Sequence, residues 1–150
     1  MINFNPDEKA RALETYQTWL RLFQLQKYFS WIIDRWHLST QAYQIQTHKD
    51  YIDFSWLEDG LNALGFQLVF LTRSPESFAA ARERRLKISG NKSQYEDLSV
   101  FVREQELMQQ LVEASALPSI KIDISENIID QAVEQIVDHM YKSGAMWMDE

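Results

Sequence analysis

QLVFLTRSPESFAAARERR, residues 67–85, is the stretch on which the fold turns. Together with Phe66, its opening is apolar almost without interruption as far as Leu71. Successive side chains of a strand point to opposite faces, so a strand with water on one side alternates apolar and polar residues. A run that does not alternate belongs to a strand covered on both faces, as in a parallel sheet between helices. Ser74-Pro75-Glu76 then opens a helix that carries Phe78, Ala79, Ala81 and Arg82. Strand, short turn and helix form the repeating half-unit of an α/β fold.

The chain on either side continues the alternation. Asn5-Pro6-Asp7-Glu8 combines a capping Asn, a Pro at the first helical position and two acids in the first turn. Leu13, Tyr16, Leu20 and Phe23 follow at helical spacing to about Lys27. Tyr28–Ile33 is aromatic and β-branched and reads as a strand that ends at Asp34-Arg35. A helix is expected from near Ser39 and Thr40 to Gln46. Another spans Tyr51 to Leu64, with Phe54, Leu57, Leu61 and Leu64 on one face and Gly65 as its stop. Downstream, Ser89–Ser93 is a loop and Tyr95 to Ala114 a long helix. Ile120–Ile124 is a third strand after Pro118. The last helix carries a stripe of Ile128, Ile129, Ala132, Val133, Ile136, Val137 and Met140, and Gly144 ends it. The expectation is an α/β three-layer sandwich with a short parallel sheet of about three strands flanked by helices. It is expected to form a single domain over residues 1–150.

Composition narrows the class. Apolar residues make 45% and charged residues 25%, the mix of a chain that buries a core. No apolar run approaches the roughly 20 residues that span a bilayer, so no membrane partner is expected. The polar, acidic start MINFNPDEKARALE reads as neither a signal nor a transit peptide. Without cysteine there is no disulfide scaffold or thiol nucleophile, which fits the cytoplasm. The formal net charge is -7, yet Arg73 to Lys92 holds six cations against Glu76 and Glu83. That island is too compact for a nucleic-acid stripe and suits a small anion such as a phosphate ester.

Two constellations could carry chemistry. Ligands of an open parallel sheet collect beyond the carboxyl ends of its strands, where Asp34 and Arg35 are expected. A carboxylate there can accept a proton or hold a metal-bound water. An arginine there can grip a phosphate through two parallel hydrogen bonds. An ion pair capping a strand end explains the same dipeptide. The second constellation is Arg73 at the next strand end, followed by Arg82 and Arg85 three residues apart on one helical face. A solvated face balanced by Glu83 and Glu96 is the plainer reading of those charges. Arg103-Glu104-Gln105-Glu106 also reads as a solvated face, and Ser125 or Asn127 as a helix cap. His37, His48 and His139 lack metal-ligand spacing, and His37 reads as packing. Met146-Trp147-Met148 is an apolar tail among acids.

DRWHLSTQAYQ, residues 34–44, resembles the signature of thymidylate kinase and the related P-loop nucleoside and nucleotide kinases. AARERRLKISGNKSQYEDL resembles that family's lid, placed here at about residues 82–97. The resemblance implies catalytic roles for Asp34, Arg35, Arg82 and Arg85. It implies substrate contacts from Arg73, Trp36, Ser39, Tyr43 and Gln44, and a water-bridged metal at Asp34. It also implies ATP and Mg²⁺ as cofactors and a nucleoside or nucleotide as partner. Trp36 stands where the family has Tyr or Phe. A phosphate loop needs Gly-x-x-x-x-Gly-Lys-Ser/Thr. Gly60 and Gly65 have that separation, but Phe66 and Gln67 follow. The likeness covers about residues 7–142, the latter two-thirds of such a kinase. The family's sheet order would leave an empty slot between strands at 29–34 and 66–72. The expected function is therefore a nucleotide-kinase-like domain whose ancestral reaction is ATP-dependent phosphoryl transfer, not competent alone. A homo-oligomer or complementing chain would supply the rest. The alternative is a non-catalytic nucleotide-binding or regulatory module.

Overall fold

The computed structural model describes residues 2–93, 96–126 and 128–144. Its element order is a 3₁₀ turn (Pro6–Glu8), α1 (Lys9–Leu25), α2 (His37–His48), α3 (Ser55–Asn62), β1 (Leu68–Thr72), α4 (Ser77–Leu86), α5 (Leu98–Ala114), β2 (Ser119–Asp123) and α6 (Ile129–Ser143). The fold is mixed α/β and dominated by helices. Among the described residues, no helix is long and apolar enough to cross a membrane.

The main core lies among α1, α2 and α3. Tyr16 is wholly buried, with its ring against Trp19, Trp36 and Phe54 at centroid distances of 5.7, 5.5 and 5.2 Å. Phe23 extends the aromatic cluster to Trp31, Trp36 and Phe66. Leu57 and Leu61 of α3 close it from the other side. α2 is unusual in burying mostly polar side chains, and Thr40, Gln41 and Gln44 each tie down a segment lacking its own secondary structure. Thr40 donates to the Ile2 carbonyl at 2.9 Å and accepts from the Ile2 amide at 3.0 Å. Its single proton being used, the Tyr16 hydroxyl at 2.6 Å is the donor of that pair. Gln44 donates to the Phe4 carbonyl, and Gln41 accepts from the Ile52 amide.

β1 and β2 form a parallel pair, with Leu68 opposite Ser119 and Thr72 opposite Asp123. The pleat puts Val69, Leu71, Ile120 and Ile122 on one face and Leu68, Phe70, Thr72, Ser119, Lys121 and Asp123 on the other. α6 packs on β2, and α5 packs on β1. Ile122 is fully buried beneath this layer, whereas Val69 and Leu71 remain 40% and 47% exposed. β1 is thus covered less completely than its apolar run predicts. The stripe of α6 is also only partly used: Ala132 is buried, while Ile129, Val133 and Val137 stand in solvent.

The largest departure concerns the expected strand at Tyr28–Ile33. The sheet has two strands, and this segment is irregular chain, with Ile32 94% exposed. A strand gains its stability from a ladder, and aromatic and β-branched residues merely suit a pleated surface once a neighbour is present. Among the described residues, no backbone hydrogen bond reaches Ser30–Asp34. Local propensity favours an extended strand here, but the ladder is missing.

Because the aromatic core carries the helical half, truncating Leu57 to Ala should cost about 2–5 kcal/mol. Tyr16→Phe keeps the ring packing and loses one buried hydrogen bond, for about 1 kcal/mol. Urea denaturation should give that order. Equal costs would show that the core is not organised around these two side chains as described.

Candidate functional site

The carboxyl ends of β1 and β2 open side by side. Between them and α5 lies a cleft of about 430 Å³, lined by Thr72, Arg73, Ser74, Gln105, Lys121 and Asp123. A smaller cleft of about 250 Å³ shares Ser74 and Asp123 and extends towards Gln131 and Gln135 of α6.

Backbone geometry at this edge is held by side chains. The Gln105 carboxamide donates to the Arg73 carbonyl at 2.8 Å and accepts from the Arg73 amide at 2.8 Å. A neighbouring strand would make the same reciprocal pair, so Gln105 caps the outer edge at Arg73, the residue just after β1. The Ser74 amide donates to the Ser125 hydroxyl at 2.7 Å. Ser125 in turn donates to the Asp123 carboxylate through both its amide and its hydroxyl. The two strand ends are thereby locked together across the cleft.

The charges are unbalanced. Burial lowers the pKa of Arg73, the nearby Arg84 guanidinium lowers it further, and Asp123 opposes both. Arg84 has no ion pair among the described residues. Bonds from Ser125 hold the Asp123 carboxyl below its ordinary value, so it is ionised at neutral pH. Lys121, which lines the cleft, donates to Gln109 of α5 at 2.9 Å. Arg73 and Lys121 therefore line the cleft with one carboxylate, Asp123, and Arg84 adds positive charge near Arg73, which is the potential an anion would seek.

Arg35 approaches the same part of α5. Its guanidinium meets Glu104 at 2.7 Å, one residue before the Gln105 that holds Arg73. Arg35 also has φ +56, a left-handed backbone that costs about 1–3 kcal/mol in a non-glycine residue. Asp34 beside it is exposed. Among the described residues, no group of three or more His, Asp or Glu could hold a metal ion.

The other sequence candidates are placed as follows. Trp36, Ser39 and Gln44 are buried, Trp36 within the aromatic core and Gln44 on the Phe4 carbonyl. Tyr43 is half-buried with its ring near His48. Arg82 is half-buried, and its Nε is enclosed without a hydrogen-bond partner among the described residues. Arg85 is exposed. It is Arg84, between the two α4 candidates, that acts on Arg73. Gln94 and Tyr95 of the lid-like segment, Asn127 and Met146-Trp147-Met148 lie outside the described residues. Ser125 binds Asp123 and Ser74 and does not cap α6, whose N-cap is Ile128.

One network escaped the sequence. Glu58 of α3 is buried and accepts from His37 Nε2 at 3.0 Å, Ser115 Oγ at 2.7 Å and the Ala116 amide at 2.8 Å. Burial pushes the Glu58 carboxyl up, but these hydrogen bonds together outweigh it and leave the pKa below its ordinary value. The available signal was an acid on the apolar face set by Phe54, Leu57 and Leu61. No family model, curated protein or solved structure matches the chain.

A depressed folded-state pKa stabilises the fold above the unfolded-state pKa, and that gain is lost as pH falls through the folded value. The urea midpoint should therefore fall on acidification below the ordinary glutamate range. Glu58→Gln should be less stable than wild type at pH 7 and show a shallower acid limb. Parallel acid limbs in the two proteins would remove Glu58 from that role.

Proposed function

We propose that the protein is a nucleotide-kinase-like domain whose cleft at the ends of β1 and β2 binds the phosphate of a nucleoside phosphate. The observation that carries this reading is Arg73 at the carboxyl end of a parallel strand, lining the cleft, with Arg84 of α4 near enough to act on its charge. Arginine suits phosphate because its planar fork makes two charge-assisted hydrogen bonds at once. A cleft of about 430 Å³ is within the range of small-ligand sites. The likeness of residues 34–44 to thymidylate kinase supplies the nucleotide. The P-loop-kinase-like arrangement, with a sheet that is incomplete, belongs to the same proposal.

In this reading Arg73 and Arg35 hold the acceptor from the two sides of α5. The basic end of α4, with Arg82, Arg84 and Arg85, closes over it as a flap. α4 has no buried residue, as a closing element requires. Positive charge on the phosphate oxygens is most of what phosphoryl transfer asks of a protein. The residues do not fit a metal: Asp34 belongs to no ligand group among the described residues, and Asp123 is occupied by Ser125. No Walker A pattern occurs in the sequence either. ATP-dependent transfer with Mg²⁺ is therefore proposed as the ancestral reaction of the fold.

That missing loop favours a second reading, a module that holds a nucleotide without turning it over. Calorimetry with nucleosides, nucleoside monophosphates and ATP tests binding. Arg73→Ala and Arg84→Ala should each weaken monophosphate affinity by about 10–100-fold, the loss of one charge-assisted contact of about 1.5–3 kcal/mol. Silence across the panel would overturn both readings. ATP turnover by the pure chain, abolished by Arg35→Ala, would decide for the enzyme over the module.

A further inference from the structure

We infer that the outer edge of β1 pairs with the Tyr28–Ile33 segment of a second copy of this chain, in a reciprocal exchange that forms a dimer. Two unmet needs on one surface lead there. The first is the edge itself. Leu68 donates to Pro118, and Thr72 accepts from Ile124, so residues 68, 70 and 72 turn their backbone groups towards β2. Residues 69, 71 and 73 consequently turn theirs away. Arg73 is capped by Gln105, while the amides and carbonyls of Val69 and Leu71 have no partner among the described residues beyond the sheet pair. An uncapped, apolar strand edge is a template for another strand.

The second need is the segment. Ser30–Asp34 has no backbone hydrogen bond among the described residues, yet Trp31, Ile32 and Ile33 are residue types that suit a strand. The six residues of Tyr28–Ile33 are enough to span the five of β1. The two features are neighbours. Trp31 stacks near Phe23, which also contacts Phe66 just before β1. At the other end Arg35 binds Glu104, beside the Gln105 that caps Arg73. The two ends of the segment are thus tied, through Phe23 and through α5, to the residues that flank β1. Within one copy, Trp31 and Arg35 are already held in their own contacts. A two-fold axis between copies brings each segment to the other's edge, because an isologous interface pairs every donor with its acceptor twice.

Charge and area agree. Neither Tyr28–Ile33 nor Leu68–Thr72 carries a charged residue, so the net charge of -7 is not concentrated where the copies meet. Taking about 150–250 Å² for a whole aromatic side chain, the exposed parts of Tyr28–Ile33 with Val69 and Leu71 come to roughly 800 Å² per copy. A standard-size interface takes about 800 Å² from each partner.

Sedimentation equilibrium on the whole chain, from about 1 to 200 μM, tests the inference. The wild type should be a dimer that dissociates at the dilute end. Leu71→Pro removes an outward-facing amide and leaves the bonds to β2 alone, as edge positions allow. Ile32→Asp charges a side chain that touches little in the monomer. Each should weaken self-association at least 100-fold while the far-ultraviolet circular dichroism of the monomer is kept. If Leu71→Pro does not fold, Ile32→Asp decides alone. A chain that stays monomeric to the top of the range, or a dimer that survives a folded variant of either kind, overturns the pairing.

Discussion

Glu58 sits between the helical core and the sheet, and the relation of those two parts depends on its carboxylate. His37, Ser115 and the Ala116 amide all donate to it. These donors come from the start of α2 and from the turn that feeds β2, while Glu58 itself belongs to α3. A buried charge is tolerated only where such bonds replace the water it has lost. The network therefore fixes where α2 begins relative to β2. Since His37 lies two residues after Arg35, it also anchors the chain just beyond Arg35, whose own left-handed backbone precedes α2 and whose guanidinium meets Glu104.

α5 then translates this placement to the sheet. Glu104 takes the arginine of one constellation, and Gln105 takes the backbone of the other. Arg35 and Arg73, 38 residues apart in the chain, become neighbours of adjacent residues on one helix. Among the residues that line the larger cleft Asp123 is the one carboxylate, and it is turned to locking Ser125 and the two strand ends. Structural bonds thus occupy the acid, while Arg73 and Lys121 line the cleft beside it.

Much of this was legible in the sequence. The parallel strand at 66–71, the strand at 120–124 and the helices after them followed from period and punctuation, and their bounds moved by only a few residues. Tyr28–Ile33 was misread because composition reports what suits a strand, whereas a ladder needs a neighbour that the sequence does not display. Trp36, Ser39 and Gln44 matched a substrate-binding signature, yet here they are buried. A motif gives residue types in order, and packing decides which way each side chain faces. Gln105 and Glu104 looked like a solvated face because their partners are distant in the chain. Glu58 alone left a local trace, as an acid on an apolar helical face.

The central claim is that the ends of β1 and β2 form a phosphate-binding cleft. Backbone ¹⁵N NMR during titration with inorganic phosphate, and then with a nucleoside monophosphate, addresses it directly. The account predicts that the amides of Arg73, Ser74 and Ser125 shift together and saturably, with the Arg84 guanidinium resonance following them. Saturable shifts elsewhere with these resonances unmoved, or no shifts at all, would contradict it.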